Sequence, residues 1–249
     1  MTTITFHGHA CFVLEHDGKR VIIDPFLTGN PKADVDAAQL PALDGILVTH
    51  GHGDHVGDAV PLSQMHDATV VAPYELAVFL SQQGAPKVHP MHIGGAHDFP
   101  FGRVKLVPAF HGGMVEGTDG ARFATWPCGF VVTMGGVRIY HTGDTALTME
   151  MQLLAGRVDV MLLCIGDNYT MGIEDAARAV EFVKPRIAIP MHYGTFPVVA
   201  ADPEQFRQAL GSQAEVVILE PGASYSASSI GTPTVPPAAG PLERPPAAR

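Results

Sequence analysis

Positive charge is scarce in this sequence: 15 Lys+Arg stand against 25 Asp+Glu in 249 residues, a formal net charge of −10 at pH 7. A protein that tracks a phosphate backbone needs a basic face. The charge balance therefore counts against a dedicated nucleic-acid binder, although it leaves room for a single phosphate held at a metal. Cysteine is scarce too. Cys11, Cys128 and Cys164 lie in apolar runs with no C-x-x-C spacing, which points to a reducing compartment and to small buried hydrophobes. Long apolar runs are missing: the longest, VDVMLLCIG, falls far short of the ~20 residues of a membrane span. The opening MTTITFHGHACFVLEHDGKR has no basic leader and does not read as a signal peptide. The expectation is a cytoplasmic protein with a small-molecule substrate and no nucleic-acid or membrane partner; self-association stays open.

What is present is an alternation of strands and helices. Strand-like runs rich in Val, Ile and Phe fall at 3–7, 11–16, 20–24, 45–49, 68–72, 103–108, 129–134, 137–141, 158–165, 186–190 and 215–219. Asp17-Gly18 and Gly135-Gly136 turn two hairpins. Helical patterns follow. PYELAVFLSQQG starts at Pro73 and stops at Gly84, and GIEDAARAVEFVKP carries an Ile173, Ala177, Val180, Val183 stripe. DPEQFRQALG has Asp202 as N-cap, Pro203 in the first turn and Gln205 placed to complete a capping box. Strands followed by helices, twice over, suggest an α/β fold of two related halves. Past Pro221 the composition turns to Pro, Ala, Ser and Gly. The expected division is a functional domain at 1–222 and a tail at 223–249 without packed structure.

The chemistry concentrates in THGHGDH, where His50, His52, Asp54 and His55 occupy six positions after an apolar run. A divalent metal bound by imidazole and carboxylate needs side chains converging from several rigid segments. Three further groups stand at strand ends with glycine beside them: His111 before Gly112-Gly113, Asp144 after Gly143, and His192 two residues before Gly194. His50 and His52 can reach one ion together, while Asp54 and His55 can face a second. One catalytic metal takes about three protein ligands plus water, so five histidines and two aspartates suffice for two ions.

The order THGHGDH, His111, HTGDT and PMHYGTFP resembles the metallo-β-lactamase superfamily, and the likeness runs over about 1–222. GHACFVLE, IIDPFLTGNP, HPMHIGG, IGDNYTMGIEDAA and IPMHYGTFP are similar to a branch of metal-dependent hydrolases related to the ascorbate-phosphate lactonases. The resemblance implies a four-layer αββα sandwich with the site at one edge. It implies His50, His52 and His111 on a first ion, Asp54, His55 and His192 on a second, and Asp144 bridging them. His52 stands where the flavodiiron-type oxidoreductase relatives carry glutamate, which places hydrolysis ahead of redox chemistry. The implied cofactor is a pair of divalent ions, with zinc first and manganese or iron as alternatives.

The reaction expected of such a site is hydrolysis of a small-molecule ester, lactone or phosphoester by a hydroxide bridging the ions, with Asp54 as the catalytic carboxylate orienting it. A nuclease of the same fold and a metal-binding regulatory protein without turnover are the competing readings. His9, Asp24, Asp167, Asn168 and Tyr193 are placed around the pocket or behind the ligands. His141 is expected to be buried and hydrogen-bonded, and His16, His66, His89, His92 and His97 to lie on the surface or in loops.

Overall fold

Period-two alternation decides which of two cores each residue of the first sheet enters. Phe12, Leu14, Val21, Ile23, Leu47 and Val71 join one buried cluster, and their neighbours Cys11, Val13, Ile22, Ile46, Val48 and Val70 join another. Strands buried on both faces read as continuous apolar runs for this reason. The structure, a computed structural model, describes residues 1–117 and 120–229.

The chain begins with β1 (Thr2–Phe6), β2 (Phe12–His16), β3 (Lys19–Ile23) and β4 (Gly45–Leu47). The short helix α1 (Gly53–Val56) and α2 (Ala59–His66) precede β5 (Thr69–Pro73), α3 (Tyr74–Gln82) and β6 (Val88–Met91). The second half contains β7 (Ala96–Phe99), β8 (Gly102–Pro108), the hairpin β9 (Met114–Glu116) and β10 (Arg122–Ala124), β11 (Cys128–Met134) and β12 (Val137–His141). Then come β13 (Val160–Cys164), α4 (Ile173–Val183), β14 (Ile187–Met191), α5 (Pro203–Leu210), β15 (Glu215–Val216) and β16 (Ser224–Ala227).

Two seven-stranded sheets result, ordered β16-β1-β2-β3-β4-β5-β6 and β15-β14-β13-β12-β11-β8-β7. Both halves repeat one pattern. Antiparallel β1/β2/β3 gives way to parallel β3/β4/β5/β6, and antiparallel β8/β11/β12 to parallel β12/β13/β14/β15. Phe130, Val132 and Leu106 of the second sheet share the inner cluster with Phe12 and Leu14. Leu62 of α2 and Leu76, Phe79 and Leu80 of α3 cover the other face of the first sheet, and α4 and α5 lay Ala176, Val180, Phe206 and Leu210 on the second. This is the expected αββα sandwich.

The α4 stripe is buried at Ala177, Val180 and Val183, with Ile173 half-buried at its start. Asp202 caps α5 by accepting from Glu204 N–H at 2.9 Å. The expected capping box is not completed: Gln205 donates its backbone N–H to Asp202 C=O, and its side chain makes no return bond among the described residues.

The chain departs from expectation chiefly at its edges. β6 and β7, reading VHPM and AHDF, carry too much His, Pro and Asp to announce themselves. The domain also does not stop at 222. SYSA forms β16, antiparallel to β1 with Thr2 opposite Ala227; its ladder is supplied by the free edge of β1 and not by apolar bulk of its own. The remainder of the expected tail, 230–249, lies outside the described residues. No described helix is long and apolar enough to cross a membrane. Cys11, Cys128 and Cys164 are buried and unpaired, and burial holds all three thiols above their ordinary pKa, Cys164 at about 11.

Candidate metal centre

Parallel strands end together, so the loops that follow them meet at one edge of the sandwich. Asp24 directly follows β3, His50 comes after β4, Asp54 and His55 sit in α1, Asp144 follows β12, and His192 directly follows β14. His111 arrives from the loop after β8, and His9 from the turn between β1 and β2. His9, Asp24 and His192 have left-handed backbone, with φ of 57°, 48° and 58°. Such conformations cost about 1–3 kcal/mol each for residues other than glycine and gather where function holds them.

Asp24 organises the interior of the site. Its Oδ1 accepts Thr49 N–H at 2.8 Å, and its Oδ2 accepts Thr49 Oγ1–H at 2.8 Å and His55 Nδ1–H at 2.7 Å. Because the one proton of the Thr49 hydroxyl goes to Asp24, its oxygen accepts His50 Nδ1–H at 2.9 Å. One buried carboxylate thus fixes two imidazoles with their Nε2 atoms turned away from it.

Those inner atoms converge. His50 Nε2 lies 3.0 Å from His52 Nδ1, and His50, His52 and His111 can together offer one donor each to a single ion. His9, Asp54, His55 and His192 form a second such set, and His50, His55 and Asp144 a third that joins the first two. Asp144 Oδ2 stands 3.3 Å from His55 Nε2, 3.6 Å from His111 Nε2 and 2.9 Å from His192 Nε2.

A cation fits this arrangement better than protein hydrogen bonds do. His55 Nε2, Asp144 Oδ1 and both ring nitrogens of His192 are buried with no hydrogen-bond partner. The ion-pair distances to Asp144 are short, yet these contacts lack hydrogen-bond geometry. Leaving each such group unsatisfied costs about 1–3 kcal/mol, and imidazole with carboxylate is the donor chemistry of zinc, iron and manganese. Electrostatics agree. Burial lowers the pKa of His50, His52 and His111, keeping them in the neutral, ligating form. Burial also pulls His55 down, but Asp144 and Asp24 on its two sides outweigh it and hold its pKa well above 6.5. Two carboxylates thus set a negative field around that ring, which suits a cation held beside it. Burial pushes the carboxyls of Asp144 and Asp54 up, but the surrounding imidazoles overcome it and keep both well below the usual range.

Residues 3–192 match the family model described as Beta-lactamase superfamily domain. The chain belongs to the metallo-β-lactamase superfamily. A UPF0173 metal-dependent hydrolase of Bacillus cytotoxicus is 51% identical over 211 residues, covering 83% of this chain and 92% of that protein. Another from Carboxydothermus hydrogenoformans is 49% identical over 224 residues, covering 88% and 97%. Among solved structures, Igni18, a metallo hydrolase from Ignicoccus hospitalis, superposes with a TM-score of 0.81 at 33% identity, covering 91% of this chain and 99% of that one. The chain thus belongs to the UPF0173 family of metal-dependent hydrolases.

For this metallo-β-lactamase-type site, the structure brings His50, His52, Asp54, His55, His111, Asp144 and His192 together, with Asp24 and His9 against them. Asp167 and Asn168 join none of the donor sets. Both are exposed in a tight turn, where Asp167 Oδ1 accepts Asn168 N–H at 2.8 Å. The segment meets the site through backbone: Met171 N–H donates to Thr145 C=O at 3.0 Å, and Gly166 packs against His192 C=O, where a Cβ would not fit. Asp167 instead lines a cavity of about 650 Å³ with Glu174, Asp175 and Asp202, which offers no imidazole. Tyr193 is half-buried and lines a cavity of about 260 Å³ with His9, Lys32 and Glu220; burial, reinforced by Glu220 and Glu204, pushes its pKa up to about 12. His141 is fully buried: its Nδ1 accepts Gly143 N–H at 3.1 Å and its Nε2–H donates to Ala10 C=O at 2.9 Å. Two supporting residues were missed in the sequence, Thr49 and Thr195, the latter 2.9 Å from His9 Nδ1. Each is a hydroxyl within three positions of an expected ligand, the one signal that could have marked them.

Proposed function

We propose that this metal-dependent hydrolase holds two divalent ions, with His50, His52 and His111 on one, Asp54, His55 and His192 on the other, and Asp144 between them. It would cleave a small-molecule ester, lactone or phosphoester in the cytoplasm. The observation that carries this reading is the set of buried, unpartnered atoms of His55, Asp144 and His192 facing one another. Ions of this kind supply a water deprotonated near neutral pH and a Lewis acid for the scissile oxygen. Zinc is the first choice, with manganese and iron as alternatives.

The chain's own residues divide the remaining work. Asp24 and Thr49 hold the His50 and His55 rings so that their Nε2 atoms stay fixed. Asp144, with 3% of its side chain exposed, has no access for proton exchange with solvent, whereas Asp54, at 32%, does. Asp54 Oδ2 lies 3.2 Å from His9 Nε2. As the part-exposed carboxylate of the ligand set, Asp54 would orient the attacking water and take up its proton. The relation to ascorbate-phosphate lactonases drawn from the motifs belongs to this proposal and puts lactones first among substrates.

The test is elemental analysis of purified protein, followed by rates for the zinc-, manganese- and iron-loaded forms against lactones, thioesters and bis-aryl phosphodiesters. Two equivalents of metal and metal-dependent cleavage within one substrate class support the reading. Metal-loaded protein that cuts none of the panel overturns it in favour of a binding protein without turnover.

A further inference from the structure

His9 stands outside the seven ligands named above, yet its side chain has no exposed area, like that of His55. Its Nε2 lies 3.2 Å from Asp54 Oδ2, and its donor atom belongs with those of Asp54, His55 and His192, all within 4.8 Å of one another. The ring is mounted as the ligand rings are. The outer nitrogen of His55 is held by Asp24, that of His50 by Thr49, and that of His9 by Thr195 Oγ1 at 2.9 Å. In all three the inner nitrogen faces the cluster.

The backbone is built for the same placement. His7 N–H donates to Cys11 C=O and Cys11 N–H to Gly8 C=O, closing a tight turn. Gly8 takes a φ of +93°, and a Cβ there would meet the Lys32 carbonyl oxygen at 2.7 Å, so no other residue fits. His9 follows in the left-handed region, and its C=O accepts His192 N–H at 2.7 Å. Its ring then packs on the His192 ring at 4.0 Å between centroids, with Phe26 and Phe196 edge-on at 5.8 and 5.7 Å. A histidine needed only to fill space against two phenylalanines has no call for a strained backbone and an anchored outer nitrogen.

We propose that His9 is a further protein donor, the fourth besides the shared Asp144, to the ion held by Asp54, His55 and His192, making the two metal positions unequal in donor number. The inference rests on the two-ion reading given above. It means that the histidine between the first two strands distinguishes the second ion's position from the His50, His52 and His111 position. The second position then suits a metal that accepts more donors than four-coordinate zinc, such as manganese or iron, while zinc stays the first choice for the His50, His52 and His111 position.

Chelator-stripped protein titrated with Co²⁺ tests this, with calorimetry for stoichiometry and affinity and the visible absorption spectrum for coordination. Wild type, His9→Ala and His9→Gln are compared. Glutamine keeps an N–H to donate to Asp54 but is a poor metal donor. In both variants, one of two equivalents is expected to weaken by roughly tenfold or more and to change its absorption, with intensity rising as donor number falls. The other equivalent, on His50, His52 and His111, should stay as in wild type, which also reports an intact fold. Added imidazole should restore the lost equivalent in His9→Ala. Two equivalents with wild-type affinity and spectrum in His9→Gln would reduce His9 to a holder of Asp54 and overturn the inference alone. A wild type that binds a single equivalent, unchanged by either substitution, overturns the two-ion reading and the inference together.

Discussion

His55 Nδ1 lies 2.7 Å from Asp24 Oδ2, and neither side chain has any exposed area. The same carboxylate accepts from both the amide and the hydroxyl of Thr49, which in turn holds His50. Two rings assigned to different ions therefore share one anchor. Asp24→Asn puts an NH₂ where an acceptor is required, so a buried donor faces a donor. Metal affinity is expected to fall roughly 10–100-fold. Calorimetric titration checks this, and an unchanged affinity would remove Asp24 from the site.

Asp54→Ala is expected to lower kcat by about 10²–10⁴-fold, the usual contribution of a positioned acid or base, with the far-ultraviolet circular dichroism of wild type retained. The carboxylate is part-exposed at the mouth of the site and carries none of the inner packing, so the fold should survive its loss. Wild-type turnover in a metal-loaded Asp54→Ala protein would sink the catalytic role.

Gly57→Ala probes the approach of the ligand helix to the segment after Asp24. Gly57 has a φ of +40°, and a Cβ there would run into the Pro25 carbonyl oxygen and the Phe26 backbone. Next to it, Asp58 N–H donates to Pro25 C=O at 2.8 Å, and its carboxylate accepts Leu27 and Thr28 N–H at 3.1 and 2.8 Å. A destabilisation of about 1–3 kcal/mol is expected, read as a lower urea midpoint and a Tm several degrees lower. A midpoint equal to wild type would show that the two segments have room to part.

Acid should destabilise the metal-free fold through His141. Its Nδ1 accepts a backbone N–H, so the folded ring stays neutral, and burial lowers its pKa below 6.5. The unfolded chain takes up the proton and the folded chain does not. Stability is then complete above the unfolded value near 6.5 and falls as the pH drops below it. His141→Gln should flatten this fall in stability below pH 6.5. Urea midpoints of chelated wild type and variant across that range provide the measurement; parallel curves would count against the mechanism.

Local chemistry could be read along the chain. Period-two alternation, the Pro73 and Asp202 helix starts and the THGHGDH cluster are all short-range patterns, because strand pleat, capping and glycine freedom act over a few residues. That is why the strands bounding Asp24, His50, Asp144 and His192, and the helices after them, stand near where they were expected. Edge strands were another matter. SYSA of β16 has no apolar pattern and exists because β1 offers an unpaired ladder more than 200 residues away in sequence.

The site shows the same divide. Its seven donors were visible as residue types at strand ends, since a divalent ion accepts few kinds of ligand. Their tautomers, the sharing of Asp24 between His55 and Thr49, and the placement of His9 against Asp54 were not visible. Each depends on a contact between segments from 25 to 186 residues apart. Sequence spacing carries no information about those separations until the two sheets pack and bring their strand ends to one edge.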